Sequence, residues 1–565
     1  MTNSVKWNII KLTLITIGAI LIGLIVIFSF SLHIPGDPVL AYLPEGPINW
    51  TVYEQTKQQL GLNDPIFMRF IRYVAELFTG NLGRSFSIAR TQPVFELLVE
   101  RIPISIGFPL LPLFLGLTAG IFLGILSIKI RKRFVKILIQ IFVVLGISLP
   151  MLFIGFWFQY TLAFQMGLFP TIGGLFLPSC ILFILTLFLT TRQVRSNYLK
   201  LPEERSIWSN SIHTLFNISI LIPSIVILEV IFDITGILKL LLNALRFADY
   251  WVIRSGISVL VLLIIFILFL SNLAYTIYNL ILEKGKSRAF TNFFGRSEQI
   301  AEESARYSLN SGQKFTEFTI YRLKSPLTIL GLVIVFFITV ITVFPQLFTP
   351  LSAQEALGIY PDAFEPPSPS HPLGTTIFGR DVLALLVYGV STSFRVSLFT
   401  VCIGLGIGTL LGYLSKVHRI VKEIILGLMV ILFIIPSFLM VLLSFGIFGF
   451  GEVGLFGVLS AYVIPGIALV ISKGDYSLKR TVKKLITYIP LFLGVNILIF
   501  EAVGFLLFGH FTEFQLAADI DNARIQLFPA PWATLWPGMG IFILVLGFFA
   551  LHYGLKEPIP IAGRL

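Results

Sequence analysis

The chain begins MTNSVKWNIIKLTLITIGAILIGLIVIFSFSL (residues 1–32), a short basic segment followed by a long apolar run. The run is longer than the apolar core of a secretory signal peptide, and no small-residue cleavage site follows it. About 20 apolar residues are enough to cross the hydrocarbon core of a bilayer as a helix. The opening segment therefore predicts an uncleaved first transmembrane helix.

The rest of the chain has the same apolar character. Of its 565 residues, 56% are hydrophobic and only 12% are charged, and the mean hydropathy is +0.91. A soluble domain carries about 25% charged residues, and its surface never vanishes on folding. A soluble fold could not bury this much apolar side chain, so lipid is the predicted solvent for much of the surface.

Apolar runs of spanning length recur along the chain and predict an all-α, polytopic membrane protein with about 12 transmembrane helices. The predicted spans are 9–31, 103–127, 136–160, 175–191, 211–233, 253–282, 326–347, 390–414, 420–446, 452–472, 484–508 and 533–555.

The net charge of +12 comes from basic clusters placed between the apolar runs. They include Lys6 and Lys11, Lys129 to Lys136, Arg192 to Arg205, Lys284 to Arg296, Arg322 and Lys324, Lys416 to Lys422, and Lys473 to Lys484. With twelve spans, all of these clusters fall on one side, which is the positive-inside pattern. The pattern predicts cytoplasmic termini and excludes a nucleic-acid groove as the reason for the charge.

The longest polar stretches divide the chain into two halves. Residues 1–283 form a first half with six spans and an external loop at 32–102. Residues 326–565 form a second half with an external loop at 348–389. Residues 284–325 form a charged cytoplasmic connector between them.

One segment of the first external loop has helical periodicity. Phe67, Phe70, Ile71, Val74 and Leu77 recur at the spacing of one helix face. The pattern predicts an amphipathic helix that lies on the membrane or caps the bundle. A helix packed only on the rest of the loop fits the pattern equally well.

The motifs of enzymes and metal sites are missing. The six histidines have no metal-ligand spacing: His33, His213, His371, His418, His510 and His552. Gly285-Lys286-Ser287 resembles the end of a phosphate-binding loop, but Leu280 stands where the first glycine is required. The sequence predicts a protein that is not an enzyme, with no catalytic residue, cofactor or metal.

Two carboxylates interrupt the predicted spans: Glu229 in the fifth and Glu501 in the eleventh. A carboxylate is costly in lipid, so both are expected to face the bundle interior or water. They are candidates for binding a substrate cation or relaying protons, and the alternative is a structural pairing with a basic side chain. Their equivalent places in the two halves indicate a shared ancestral role.

The first half carries sequence motifs known from one transporter family. PGDP stands at 35–38, LGLNDPIFMRFIRYVAELFTGNLGRS at 60–85 and PVFELLVERIP at 93–103. These segments resemble the first permease subunit of oligopeptide and dipeptide ABC importers. ILEVIFDITGILKLLLNALRFADYWVI (227–253) resembles the end of that subunit, with Thr235 in place of a proline.

The second half resembles the partner permease subunit of the same importers. HPLGTTIFGRDVLALLVYG (371–389) is similar to its hallmark motif, with Thr376 where an acidic residue is usual. FEAVGFLLFG (500–509) and PAPWATLWPG (529–538) continue the resemblance. Two subunits that are normally separate therefore resemble the two halves of one chain.

The resemblance implies two type I importer permease halves, related by a pseudo-twofold axis, with a translocation path between them. It implies transport of peptides or similar small solutes across the plasma (inner) membrane, with ATPase subunits and an extracytoplasmic binding protein as partners. It also implies roles for the external-loop motif residues Pro35, Gly36, Asp37, Pro38, Gly83, Arg84, His371, Pro372, Gly374, Gly379, Arg380 and Asp381.

The chain departs from the family in its cytoplasmic loops. Permeases of this class carry a coupling helix with an E-A-A-x-x-x-G pattern after the fourth span of each half. Neither 193–210 nor 473–483 contains that pattern or has room for such a helix. The alternative to an active permease is a homologue, uncoupled from ATPases, that serves as a structural or partner subunit of a larger membrane complex. A secondary transporter is a third hypothesis.

Overall fold

The computed structural model describes residues 2–32, 34, 36–44, 46–130, 132–198, 207–284, 322–434, 440, 452–472, 478–506 and 512–556. Within these ranges the chain is helical, with no β-strand and only isolated β-bridges. The helices of the first half are α1 (Thr2–Ser31), α2 (Trp50–Gln59), α3 (Ile66–Thr79), α4 (Val94–Lys129), α5 (Arg133–Ser148), α6 (Met151–Phe158), α7 (Phe176–Tyr198), α8 (Ile207–Ile231), α9 (Ile237–Arg246) and α10 (Tyr250–Lys284). Those of the second half are α11 (Pro326–Val343), α12 (Ala353–Ala356), α13 (Val382–Leu414), α14 (Arg419–Ile434), α15 (Glu452–Ser472), α16 (Leu478–Leu506), α17 (Leu516–Ala523) and α18 (Trp532–Lys556).

Each predicted span overlaps at least one described helix, and the prediction of an all-α, polytopic membrane protein is confirmed. Among the described residues, eight helices are long and apolar enough to cross a membrane, or nine if α5 and α6 count as one bent span. Shorter apolar helices occur at Thr16–Ser31 and Ile220–Ile231. The count of twelve stays a prediction, because α14 is followed by residues outside the described ranges.

Two long helices begin earlier than their predicted spans. α4 starts directly after Pro93, and α13 starts directly after Asp381, whose side chain accepts a hydrogen bond from the Ala384 amide at 2.8 Å. An N-cap of this kind starts a helix whatever the hydropathy of its first turns. Charged residues in the first turns of α4 (Glu96, Glu100, Arg101) and the polar segment 391–395 of α13 interrupt the apolar run, so a search for uniformly apolar runs starts both spans too late.

The predicted third span, 136–160, is not one straight helix. α5 and α6 meet at an angle of 88° around Pro150, which is the N-cap of α6. Proline lacks an amide hydrogen and interrupts the helical hydrogen bonds at this point. Pro436, at the matching point of the second half, lies outside the described residues.

The two halves repeat the same helix contacts. α4 packs along α7 in the first half, and α13 packs along α15 in the second. Small residues permit both contacts, because a Cβ at Gly120 would lie 2.6 Å from the Thr190 Cβ, and one at Gly408 would lie 2.9 Å from the Ile464 carbonyl oxygen. α1 packs on α10 as α11 packs on α18.

Aromatic side chains join the two halves. On α6, the Phe153 ring stacks 6.1 Å from that of Phe542, and the Phe156 ring lies edge-on to Phe505 at 6.0 Å. α6 thus packs against α16 and α18 of the other half. Most of the buried apolar residues belong to one cluster that continues across this contact, and a smaller cluster in the second half contains Ala356, Ala384, Leu385, Tyr388 and Phe514.

Candidate functional site

Glu229 lies near the end of α8 and is completely buried. One carboxylate oxygen, Oε1, accepts a hydrogen bond from the Ser105 hydroxyl of α4. The other, Oε2, accepts from the Lys239 amide in the first turn of α9 at 2.7 Å. Ser105 Oγ accepts in turn from the Ile237 amide at 2.7 Å. Glu229 and Ser105 together cap the N-terminus of α9, where the helix amides have no partner within the helix.

Glu501 has the same arrangement in the second half. It is buried in α16, its Oε1 accepts from the Ser393 hydroxyl of α13, and its Oε2 accepts from the Ala517 amide of α17 at 2.8 Å. Both carboxylates therefore link the fifth span, the second span and a short external helix of their own half. Their hydrogen-bond partners are a hydroxyl and a backbone amide in each case. Any role in transport stays a prediction.

Glu501 also lines a cavity between the two halves. The bend between α5 and α6 forms one wall, and α7, α8, α16 and α18 supply the others. Ser224 and Glu501 are the polar residues of a lining that is otherwise apolar. Across the residues that the structure covers, no three His, Cys, Asp or Glu side chains are grouped as a metal site.

The PGDP turn packs against the corner between α9 and α10. Gly36 has a φ of +106°, and a Cβ there would collide with the Ala248 carbonyl oxygen. The Asp37 carboxylate accepts a hydrogen bond from the Tyr53 hydroxyl at 2.9 Å. Pro35 lies outside the described residues. Only glycine fits the left-handed conformation and the close approach at position 36.

A tryptophan at the start of the last span covers a motif glycine in each half. The Trp251 indole nitrogen donates to the Pro38 carbonyl at 2.8 Å, and a Cβ at Gly83 would lie 2.5 Å from Trp251 Cδ2. In the second half, the Trp532 indole nitrogen donates to a carbonyl at 3.1 Å, and a Cβ at Gly374 would lie 2.6 Å from Trp532 Cδ1. We call each pair a tryptophan–glycine clamp.

Asp249 holds the loop that follows the first clamp, and it was missed at the sequence level. Its Oδ2 accepts hydrogen bonds from the Ser85 hydroxyl at 2.6 Å and from the amides of Phe86 and Ser87, both at 2.9 Å. Arg84, the neighbouring motif residue, is exposed and donates to a carbonyl of the same loop at 3.2 Å. The one sequence signal for this role was the position of Asp249, an acidic residue directly before α10, the last span of the first half.

The motif of the second half organises the start of α13. Asp381, the N-cap, also contacts His371, whose Nδ1 lies 2.9 Å from Asp381 Oδ2. Arg380 donates from Nε to the Gly358 carbonyl at 3.2 Å. These contacts position the loop before α13.

Two further motif positions complete this loop. Gly379 has a φ of +68°, and a Cβ there would collide with the Tyr360 carbonyl oxygen. Pro372 is exposed. The described motif residues thus build the two external loops and fasten them to the starts of spans. A direct role in binding substrate stays a prediction.

Charged side chains lie on and beside α17. Asp521 pairs with Arg524, with 3.0 Å between Oδ1 and Nε. Burial raises the pKa of Asp521 to about 6, while Arg524 and Arg246 oppose the shift. Burial also raises the pKa of Asp519 to about 7, with Arg380 opposing and Glu501 adding to the shift.

Asp519 is expected to make stability depend on pH. Because its pKa rises from 3.8 to about 7 on folding, the folded state favours the neutral form. The contribution of neutral Asp519 to the free energy of unfolding is complete below pH 3.8 and is lost as the pH rises towards 7. Asp519→Asn removes this loss, so the variant should melt at a higher temperature than the parent at pH 8 and not at pH 4. Melting in detergent across this range is the measurement, with Asp362→Asn, at an exposed position, as control. An equal difference at both pH values would contradict the assignment.

Comparisons with known proteins identify relatives of this chain. No protein-family model matches it. It is 26% identical over 305 residues to a putative peptide transport system permease protein of Brucella suis, covering 48% of this chain and 96% of that protein. It is 28% identical to a dipeptide transport system permease of Lactococcus lactis, covering 47% of this chain and 95% of that protein.

A third relative is a nickel import system permease protein of Staphylococcus aureus. The identity is 30% over 251 residues, covering 39% of this chain and 75% of that protein. Each of the three relatives matches about half of this chain or less. The chain belongs to the family of peptide, dipeptide and nickel ABC transport permeases.

Proposed function

We propose that this chain is the membrane permease of an importer for peptides or similar small solutes, with both permease halves in one polypeptide. The observation that carries the proposal is the repeated carboxylate arrangement: Glu229 with Ser105 and Glu501 with Ser393, each beside a short external helix. One such arrangement in each half is what a chain made of two related permease units should contain. The proposed boundaries are 1–283, 284–325 and 326–565.

The proposed partners are an extracytoplasmic binding protein and ATPase subunits. The proposed contact with the ATPases does not follow the usual pattern, because neither 193–210 nor 473–483 contains the E-A-A-x-x-x-G pattern of a coupling helix. We therefore assign the ATPase contact to the 284–325 connector.

The function is tested with the chain in proteoliposomes, together with ATPase and binding-protein candidates from the same genome. Uptake of labelled dipeptides and ATP hydrolysis are measured together. Ser224→Phe, which fills the cavity, should abolish uptake, whereas Thr118→Phe, at an exposed position on α4, should not. A chain that neither binds nor stimulates any ATPase would refute the proposal.

The short connections between α7 and α8 and between α15 and α16 also favour a second candidate, a permease homologue that is uncoupled from ATPases and acts as a partner subunit. Affinity purification distinguishes the two. ATPases and a binding protein in the eluate support transport, and other membrane proteins without ATPases support the partner subunit.

The topology that we propose places both termini and the connector in the cytoplasm of a cell with this chain in its inner membrane. After replacement of Cys180 and Cys402, a membrane-impermeant thiol reagent added outside should label Asn49→Cys and leave Ser308→Cys unlabelled. Permeabilised cells, in which both positions should react, are the control. Labelling of the Ser308 position in intact cells would contradict the twelve-span arrangement.

A further inference from the structure

The amphipathic helix predicted in the first external loop is α3, and its inner face is fixed to two spans. The Phe70 ring lies 5.4 Å from that of Phe28 near the end of α1. The Tyr73 hydroxyl is 2.8 Å from the Ser258 hydroxyl of α10. Ser258 lies about 12 Å along α10 from its external end, at 1.5 Å per residue. α3 is therefore held beside the outer ends of α1 and α10.

An ion pair fixes the rotation of α3 about its own axis. Glu76 pairs with Arg254 of α10, and the Arg254 guanidinium lies 5.2 Å from the centre of the Tyr73 ring. Arg254 is largely buried. With these contacts in place, the opposite side of α3 cannot turn inwards.

The outward side of α3 is apolar. Phe67 is 70% exposed and Phe78 is 72% exposed, and Ile71 lies exposed between them. Their spacing of four and then seven residues places all three on one helix face. The polar edge is separate, with Arg72 on it in an ion pair with Asp64 at 2.8 Å.

This apolar face continues the lipid-facing surface of the neighbouring spans. A Cβ at Gly80, the C-cap of α3, would lie 3.5 Å from the ring of Phe95 on α4. Phe95 and Val99 are exposed there, as are Leu21 and Ile25 on α1. Exposed apolar side chains on membrane spans face acyl chains.

We propose that α3 is an interfacial membrane anchor, with Phe67, Ile71 and Phe78 in the boundary between the headgroups and acyl chains of the outer leaflet. An amphipathic helix with a separate charged edge suits this boundary. The occupant of the face is lipid, because Phe95 of α4, an exposed apolar side chain at the end of a membrane span, adjoins the end of α3 at Gly80. The anchor holds the first external loop at a fixed height above the bilayer.

Spin labels test the anchor in the full chain, reconstituted in phosphatidylcholine vesicles after replacement of Cys180 and Cys402. Phe67→Cys, Ile71→Cys and Phe78→Cys place labels on the apolar face, and Thr79→Cys places the control label at an exposed position on another face. Collisions with oxygen, which concentrates in lipid, are compared with collisions with a water-soluble nickel chelate. The ratio of oxygen to chelate collisions should be severalfold higher at the three apolar positions than at Thr79.

Two results would overturn the proposal. Chelate access at positions 67, 71 and 78 equal to that at Thr79 would place the face in water. Low access of both reagents would indicate a protein partner on the face. Because each of the three positions reports separately, failure of one variant to fold leaves two independent measurements.

Discussion

Gly83→Ala is expected to lower the melting temperature of the purified chain strongly. Position 83 has a φ of +83°, and the added Cβ would lie 2.5 Å from the Trp251 indole, which is also fixed by its bond to the Pro38 carbonyl. A left-handed conformation costs about 1–3 kcal/mol for a residue other than glycine, and overpacking costs about as much again. The expected loss is about 2–6 kcal/mol. Gly374→Ala, against Trp532, should behave in the same way.

The matched control separates backbone strain from the collision. Gly173 has a φ of +74°, and a Cβ there would meet nothing within 4 Å. Gly173→Ala should therefore cost only the strain, about 1–3 kcal/mol. Thermal unfolding in one detergent, followed by size-exclusion chromatography of heated samples, compares the three variants. Equal losses at Gly83 and Gly173 would show that the tryptophan contact contributes nothing.

Glu229→Ala and Glu501→Ala are expected to have the second large effect. A buried polar group without a partner costs about 1–3 kcal/mol. Glu229→Ala removes the acceptor of the Ser105 hydroxyl and of the Lys239 amide, so the expected loss is about 2–6 kcal/mol. Glu501→Ala removes the acceptor of the Ala517 amide, whereas the Ser393 hydroxyl can still donate to the Gly389 carbonyl at 2.9 Å, so the expected loss is about 1–3 kcal/mol. Glu→Gln at the same position keeps one acceptor oxygen and should cost less.

An exposed carboxylate on α4 supplies the control for this pair. Glu100→Ala should change the melting temperature little, because surface substitutions usually lie within about 0.5 kcal/mol of the parent. Melting temperatures in detergent give the comparison. If the alanine variants at 229 and 501 matched Glu100→Ala, the carboxylates would not hold the short helices.

The sequence was sufficient for the membrane-spanning helices, because apolar length decides whether a segment can span. The sharp bend within the predicted third span, at Pro150, was not predicted. The early starts of α4 and α13 were not predictable from hydropathy. They depend on Pro93 and Asp381, which act on the backbone and not on the apolar content of the first turns.

The hydrogen-bond partners of Glu229 and Glu501 could not be predicted from the sequence. Ser105 and Glu229 are 124 residues apart, and Ser393 and Glu501 are 108 residues apart. Periodicity within one helix cannot pair such residues, so a basic side chain was the structural partner considered, whereas the structure shows a hydroxyl and a backbone amide. Comparison of the two halves was the stronger signal, since it placed both carboxylates in equivalent spans.

The motif residues illustrate a different limit. The family resemblance marks Gly83, Gly374 and Asp381 as special positions, but it does not say whether they bind a substrate or build the loop. Only the tertiary contacts of Gly83 and Gly374 with Trp251 and Trp532 give the physical reason for glycine there. Those partners belong to the last span of each half, far along the chain.

The capped short helices have a consequence for how the outer mouth can open. Each carboxylate ties one short helix to two spans of its own half, so α9 cannot lift away alone, and neither can α17. An opening movement that preserves these bonds has to carry the whole three-helix unit. The surfaces left free to slide are the stacked rings between the halves, such as Phe153 on Phe542. The mouth would then open by movement of two rigid three-helix units, one in each half, past each other at the stacked aromatic rings.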